Sequence, residues 1–106
     1  MDLINCTPHR LNIQRLDLTW MVLEPSGILP RVELDREPVD PICGVSITVT
    51  APREVVGLPE VRDGIYYVVS GMVEAASGRA DLLSPGPLVR DEQGRPRGCR
   101  GLKTSR

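Results

Sequence analysis

Glycine and proline interrupt this chain every few residues, ten of each in 106. That spacing constrains the fold more than any other feature. Proline breaks a helix interior and glycine weakens it, so long helices are excluded. The stretches between breaks run to roughly 5–8 residues, the length of a strand. Val, Ile and Leu must fill the core, because the chain holds no Phe, one Trp and two Tyr. β-Branched side chains favour pleated, half-buried surfaces. The expected fold is mainly β (α+β), a small antiparallel sheet or barrel with one short helix. One domain spanning 1–106 is expected at this length, with 103–106 as a flexible tail.

Alternation of apolar and polar residues sets the expected elements. Leu3–Cys6 and Leu11–Ile13 read as short strands, and Leu18–Val22, apolar on both faces, reads as a central one. Ile28–Leu34 is expected as a strand that carries Arg31, with Pro30 placing it at an edge. Asp35–Gly44 holds three acids and two prolines and reads as a mobile loop. Val45–Thr50 alternates cleanly, and Ala51–Gly64 reads as a long connection. Ile65–Val69 is expected to be a central strand. Ser70 then caps a helix over Gly71–Ser77, closed by Gly78 in the left-handed conformation. Leu88–Asp91 and Arg97–Leu102 flank Glu92-Gln93-Gly94, a hairpin signal.

The net charge of −1 does not indicate a nucleic-acid binder, but it is unevenly spread. Residues 1–78 carry six Arg and eleven acids, whereas 79–106 carry six Arg, one Lys and three acids. Cys6, Cys43 and Cys99 lack the spacing of a disulfide framework or, with the single His, of a zinc site. Three buried free thiols in a cytoplasmic setting are expected, with no metal and no cofactor. No apolar run is long enough to span a membrane and Met1-Asp2 opens acidic, so neither a membrane span nor a signal peptide is expected.

The candidate binding residues are arginines and a helix start. Arg31, Arg79, Arg90 and Arg100 flank predicted strands or the helix end, and guanidinium groups hold phosphate or carboxylate bidentately. Salt bridges to Asp81, Asp91 and the acidic segment are the competing reading. Ser70 and Gly71 open the helix, where backbone N–H groups face an anion or serve a plain cap. His9 is the sole His, so any Ser–His or Cys–His catalysis must use it; a turn histidine bonded to backbone is the alternative. Ser70 lacks the G-x-S-x-G setting of a hydrolase nucleophile.

Several segments together resemble a family of small proteins encoded by tailed phages, prophages and their bacterial hosts. They are Leu3-Ile4-Asn5 with Thr7-Pro8-His9, Pro25-Ser26-Gly27 followed by Arg31, Gly57-Leu58-Pro59, and Tyr67-Val68-Val69-Ser70. Gly78-Arg79, Leu88-Val89-Arg90-Asp91 and Gly98-Cys99-Arg100-Gly101-Leu102 complete the pattern. Cys6 and Ala80 depart from it. The resemblance carries no established activity; it implies a small, phage-linked protein in the host cytoplasm. Phage proteins of this size often act on host defence, some by sequestering nucleotide-derived signals.

The leading expectation is therefore a non-enzymatic protein that sequesters a small anionic, nucleotide-like ligand, such as a host immune signal, through the residues named above. Walls from Trp20, Tyr66 or Tyr67 would complete the site. A homo-oligomer with the site near the subunit boundary is expected. The alternatives are a protein–protein module that inhibits a host protein or serves virion assembly, and a small nucleotide hydrolase using His9.

Overall fold

The computed structural model describes residues 1–104. The chain is mainly β, an α+β fold with one short helix. Its centre is β6 (Ile65–Val68), whose apolar run has neighbours on both sides. It lies parallel to β1 (Asp2–Asn5) and to β7 (Leu82–Pro85). β10 (Leu102–Lys103) extends this sheet antiparallel to β7. Two parallel pairs make the sheet mixed rather than antiparallel. The β6–β7 crossover is the helix α1 (Gly71–Ser77), as parallel strands require a crossover connection. Ser70 caps α1 by accepting from the Val73 N–H at 3.3 Å, and Gly78 closes it at φ 69°. The core joins Cys6, Tyr67, Val69, Val73 and Leu82, with the helix on one face of the sheet.

A second sheet runs β3-β2-β9-β8: β3 (Trp20–Leu23), β2 (Leu11–Gln14), β9 (Pro96–Arg100) and β8 (Leu88–Arg90). The β8–β9 hairpin turns at the expected Glu92-Gln93-Gly94, held by Asp91 Oδ1 accepting from the Gln93 and Arg95 N–H groups at 2.9 Å. β3 is an edge strand, not the expected central one. Its inner neighbour β2 is paired on both sides, and Val22 on β3 stays exposed. Gly98 explains how Trp20 lies close to the sheet. A Cβ there would sit 2.8 Å from the indole ring and collide with the Asn12 carbonyl. Arg97 covers the same ring at 5.2 Å from its centroid. Neither sheet closes into a barrel among the described residues.

The largest departure from the sequence reading is a projecting hairpin. β4 (Arg31–Ile42) and β5 (Val45–Val56) pair antiparallel over 12 residues each. The segment Asp35–Gly44 is thus mostly strand rather than mobile loop, and the following connection starts only after Val56. Cys43 and Gly44 form the two-residue turn with φ of 52° and 73°, the positive pair that matches strand twist. Pro38 and Pro41 are tolerated because a two-stranded ribbon leaves each strand one free edge, where a missing N–H breaks no ladder bond. Arg53 is an extra residue opposite the Glu33–Leu34 step, forming a bulge. Beyond its base, where Ile28, Val32 and Val55 pack against the core, the arm stands clear of the body. Its reach shows in the radius of gyration, 17.0 Å, against about 13 Å for a compact chain of this length.

Two smaller expectations also change. Cys43, at the arm's tip, is exposed, so only Cys6 and Cys99 are buried among three free thiols. The tail expected over 103–106 begins inside β10, where Lys103 pairs with Ser84; residues 105–106 lie outside the described residues.

Candidate functional site

The two sheets meet at a groove of about 780 Å³. Its walls are Leu3 of β1, Ile13 of β2, Met21 of β3 and Leu102 of β10. The β2–β3 turn forms its rim. Asp17 builds that turn by accepting from the Thr19 N–H at 3.0 Å and from the Thr19 hydroxyl, and those bonds hold its carboxyl below the usual carboxylate range. Arg15 braces it, donating from Nη1 to Thr19 Oγ1 and to the Trp20 carbonyl, both at 3.3 Å. The turn displays apolar side chains to solvent: Leu16 is fully exposed and Leu18 is 67% exposed. Leu18 also sits at φ 70°, a conformation that costs a non-glycine residue roughly 1–3 kcal/mol.

Polar groups in the groove are few. Arg100, on the far wall, has no ion pair or side-chain hydrogen bond among the described residues. Gln14 Oε1 is buried there without a hydrogen-bond partner among them. An apolar concavity with a few convergent polar groups has the chemistry of a recognition site.

The remaining sequence candidates are dispersed. Arg79 is held in the body: Nε and Nη2 clasp Asp81 at 2.9 and 2.7 Å, and Nη1 donates to the Pro59 carbonyl at 2.8 Å. The pairing lowers the Asp81 pKa and raises that of Arg79. Arg31, at the arm's base, pairs with Glu33, and Arg90 donates to the Gly94 carbonyl of its own hairpin at 2.7 Å. Of the four candidate arginines, only Arg100 lines the groove. Tyr67 is buried with its hydroxyl donating to the Glu60 carbonyl, and neither Tyr66 nor Trp20 lines the groove.

His9, Ser70 and Gly71 do share one region, the carboxyl ends of the parallel strands β1 and β6. Cys6 N–H donates to the Val68 carbonyl, which brings the Thr7–His9 loop and the helix start to the same sheet edge. Asn5 builds that loop from inside. Its Nδ2 donates to the His9 and Leu23 carbonyls at 2.8 and 3.0 Å, and its Oδ1 accepts from the Thr7 N–H and hydroxyl at 2.9 and 2.7 Å. Ser70 Oγ is committed to the cap. Cys6, whose sulfur accepts from the Ser26 hydroxyl at 4.0 Å, has its thiol pKa raised by burial.

The signals missed in the sequence were Leu16-Asp17-Leu18, two leucines within a turn, and Ile42-Cys43-Gly44-Val45, a glycine-bearing turn between apolar residues. No family model matches the chain, and no characterised protein or solved structure is similar to it.

Proposed function

We propose that this protein is a non-enzymatic binding module that recognises another protein chain through its β4–β5 arm. One observation carries the reading: the arm is two-faced while standing free of its own core. Residues opposite one another in an antiparallel pair share a face. The pairs Asp35↔Ala51, Glu37↔Val49 and Val39↔Ile47 therefore put apolar and acidic side chains on one face. Arg36↔Thr50 and Pro38↔Thr48 fill the other. Val39 and Val49 are 45% and 52% exposed, so this face is unspent on folding. Exposed apolar surface of this kind marks an interaction site. The resemblance to phage-encoded proteins supports a reading in which such a module inhibits a host protein or serves virion assembly in the bacterial cytoplasm. A photo-crosslinking residue at Val49 should give adducts of discrete mass in cells that express the protein, and one at Glu92, on the β8–β9 turn, none. No adduct from the arm would remove the reading.

A second reading is favoured by Arg100 and the unpaired Gln14 Oε1 in the groove. There the groove holds a small ligand with an apolar body and an anionic group, such as a nucleotide-like host immune signal, and sequesters it without turnover. Ligand at about 100 times its Kd adds roughly 2.7 kcal/mol of stability. A thermal-shift panel of cyclic dinucleotides and ADP-ribose derivatives checks it. The expected stabilisation is absent in Arg100→Ala, and flat curves across the panel discard it.

A further inference from the structure

We infer that the arm's partner is a second copy of this chain, whose groove it enters; the inference rests on reading the arm as an interaction surface. Among the described residues each chain has an apolar projection, the arm, and an apolar recess, the groove, and neither is covered by the chain itself. Their charges are complementary. The arm face that carries Val39, Ile47 and Val49 also carries Asp35 and Glu37. The groove that carries Leu3, Met21 and Leu102 also carries Arg15 and Arg100, which is unpaired among the described residues, against one acid, Asp17, whose carboxylate is engaged by Thr19 within the turn. A carboxylate arriving on the arm would engage a guanidinium in a partly dehydrated setting, where charge-assisted bonds are strong.

The area fits the same occupant. The chain exposes 7580 Å², whereas a compact monomer of its mass exposes about 5,800 Å². The surplus, about 1,800 Å² per chain, is roughly twice what one partner contributes to a standard interface. Two chains that each bury their surplus lose about 3,600 Å² together, within the range of permanent homodimers. A two-fold axis achieves this with both arms at once, each seated in the other chain's groove, and closes the assembly at two.

The 106-residue chain should therefore sediment at twice its 11.6 kDa monomer mass. Charge reversal reads the contact itself. An arm variant, D35K/E37K, and a groove variant, R100E, should each shift to monomer, since each places like charges in both contacts of its homodimer. Mixing them should restore a dimer, because in the mixed pair lysine meets glutamate in one groove and acid meets arginine in the other. Both substituted sites are solvent-facing, and unchanged circular dichroism confirms that each variant is folded. A wild-type monomer at every concentration overturns the second-copy inference but leaves the arm reading to its crosslinking test. A dimer indifferent to both variants overturns the inference and shows that pairing uses another surface. Variants that dissociate but do not re-pair when mixed overturn the arm-to-groove contact.

Discussion

Asn5 does more for the candidate loop than any residue exposed on it. Four hydrogen bonds converge on its buried carboxamide, tying β1 to the Thr7–His9 loop and to the end of β3. Asn5→Ala leaves the Leu23 and His9 carbonyls and the Thr7 donors without that partner, and each buried group so stranded costs about 1–3 kcal/mol. A loss near 3 kcal/mol in urea unfolding is expected, with an unchanged m-value. Arg79 and Asp81 supply a pH-dependent term. The pair holds the Asp81 carboxyl below its ordinary value, so its stabilisation is complete above the unfolded carboxylate's pKa and is lost as pH falls through the depressed one. Asp81→Asn should be the less stable protein at pH 7, and the gap should narrow as pH falls below the ordinary carboxylate pKa of about 3.9. Equal acid sensitivity in both proteins would show that the carboxylate contributes nothing. These roles were half visible in the sequence. The sequence marks Asp81 as a salt-bridge partner for the arginines, whereas nothing local distinguishes Asn5, whose partners stand up to 18 positions away.

At the scale of elements, legibility followed the range of the forces involved. The helix was readable to its ends because Ser70 and Gly78 act on their own backbone. The β8–β9 turn was readable for the same reason. The arm was not, because prolines and acids signal disorder when counted along the chain. A two-stranded ribbon has outward edges that accept prolines and open faces that accept acids. The groove was illegible because β1, β2, β3 and β10 meet there only through sheet topology. Gly98 shows such a topological demand at one site. Gly98→Ala pushes a methyl group against the Asn12 carbonyl on β2 and the Trp20 ring. Backbone cannot yield as a flexible side chain does, so β9 must move from β2. Overpacking of this kind costs about 1–3 kcal/mol, and near-ultraviolet circular dichroism from the single Trp should change with it. An unaltered Trp signal at wild-type stability would contradict the close approach.

For the whole molecule, the arm poses a stability problem that the proposed association would solve. An isolated two-stranded hairpin is marginal in water, and from Asp35 to Ala51 this one gains almost no burial from the body. Its backbone bonds therefore open with little cost in a monomer, whereas the body opens only at a free energy set by its own core. Seating the arm in a second chain changes the first quantity and leaves the second almost alone. Binding stabilises the bound form by an amount that grows with partner concentration, so arm protection becomes a function of protein concentration. Hydrogen exchange should resolve the two parts of the same chain. Amides of Arg36–Thr50 should exchange rapidly in dilute protein and slow by about threefold for each tenfold rise in concentration, because the dissociated fraction of a homodimer falls as the square root of total concentration. Amides of β6 and β7 should stay protected throughout. In the groove-reversed R100E chain the arm should remain fast at every concentration. Arm amides as protected as those of β6 at the lowest concentration would mean that the hairpin is stable by itself, and dimerisation would then have nothing to supply.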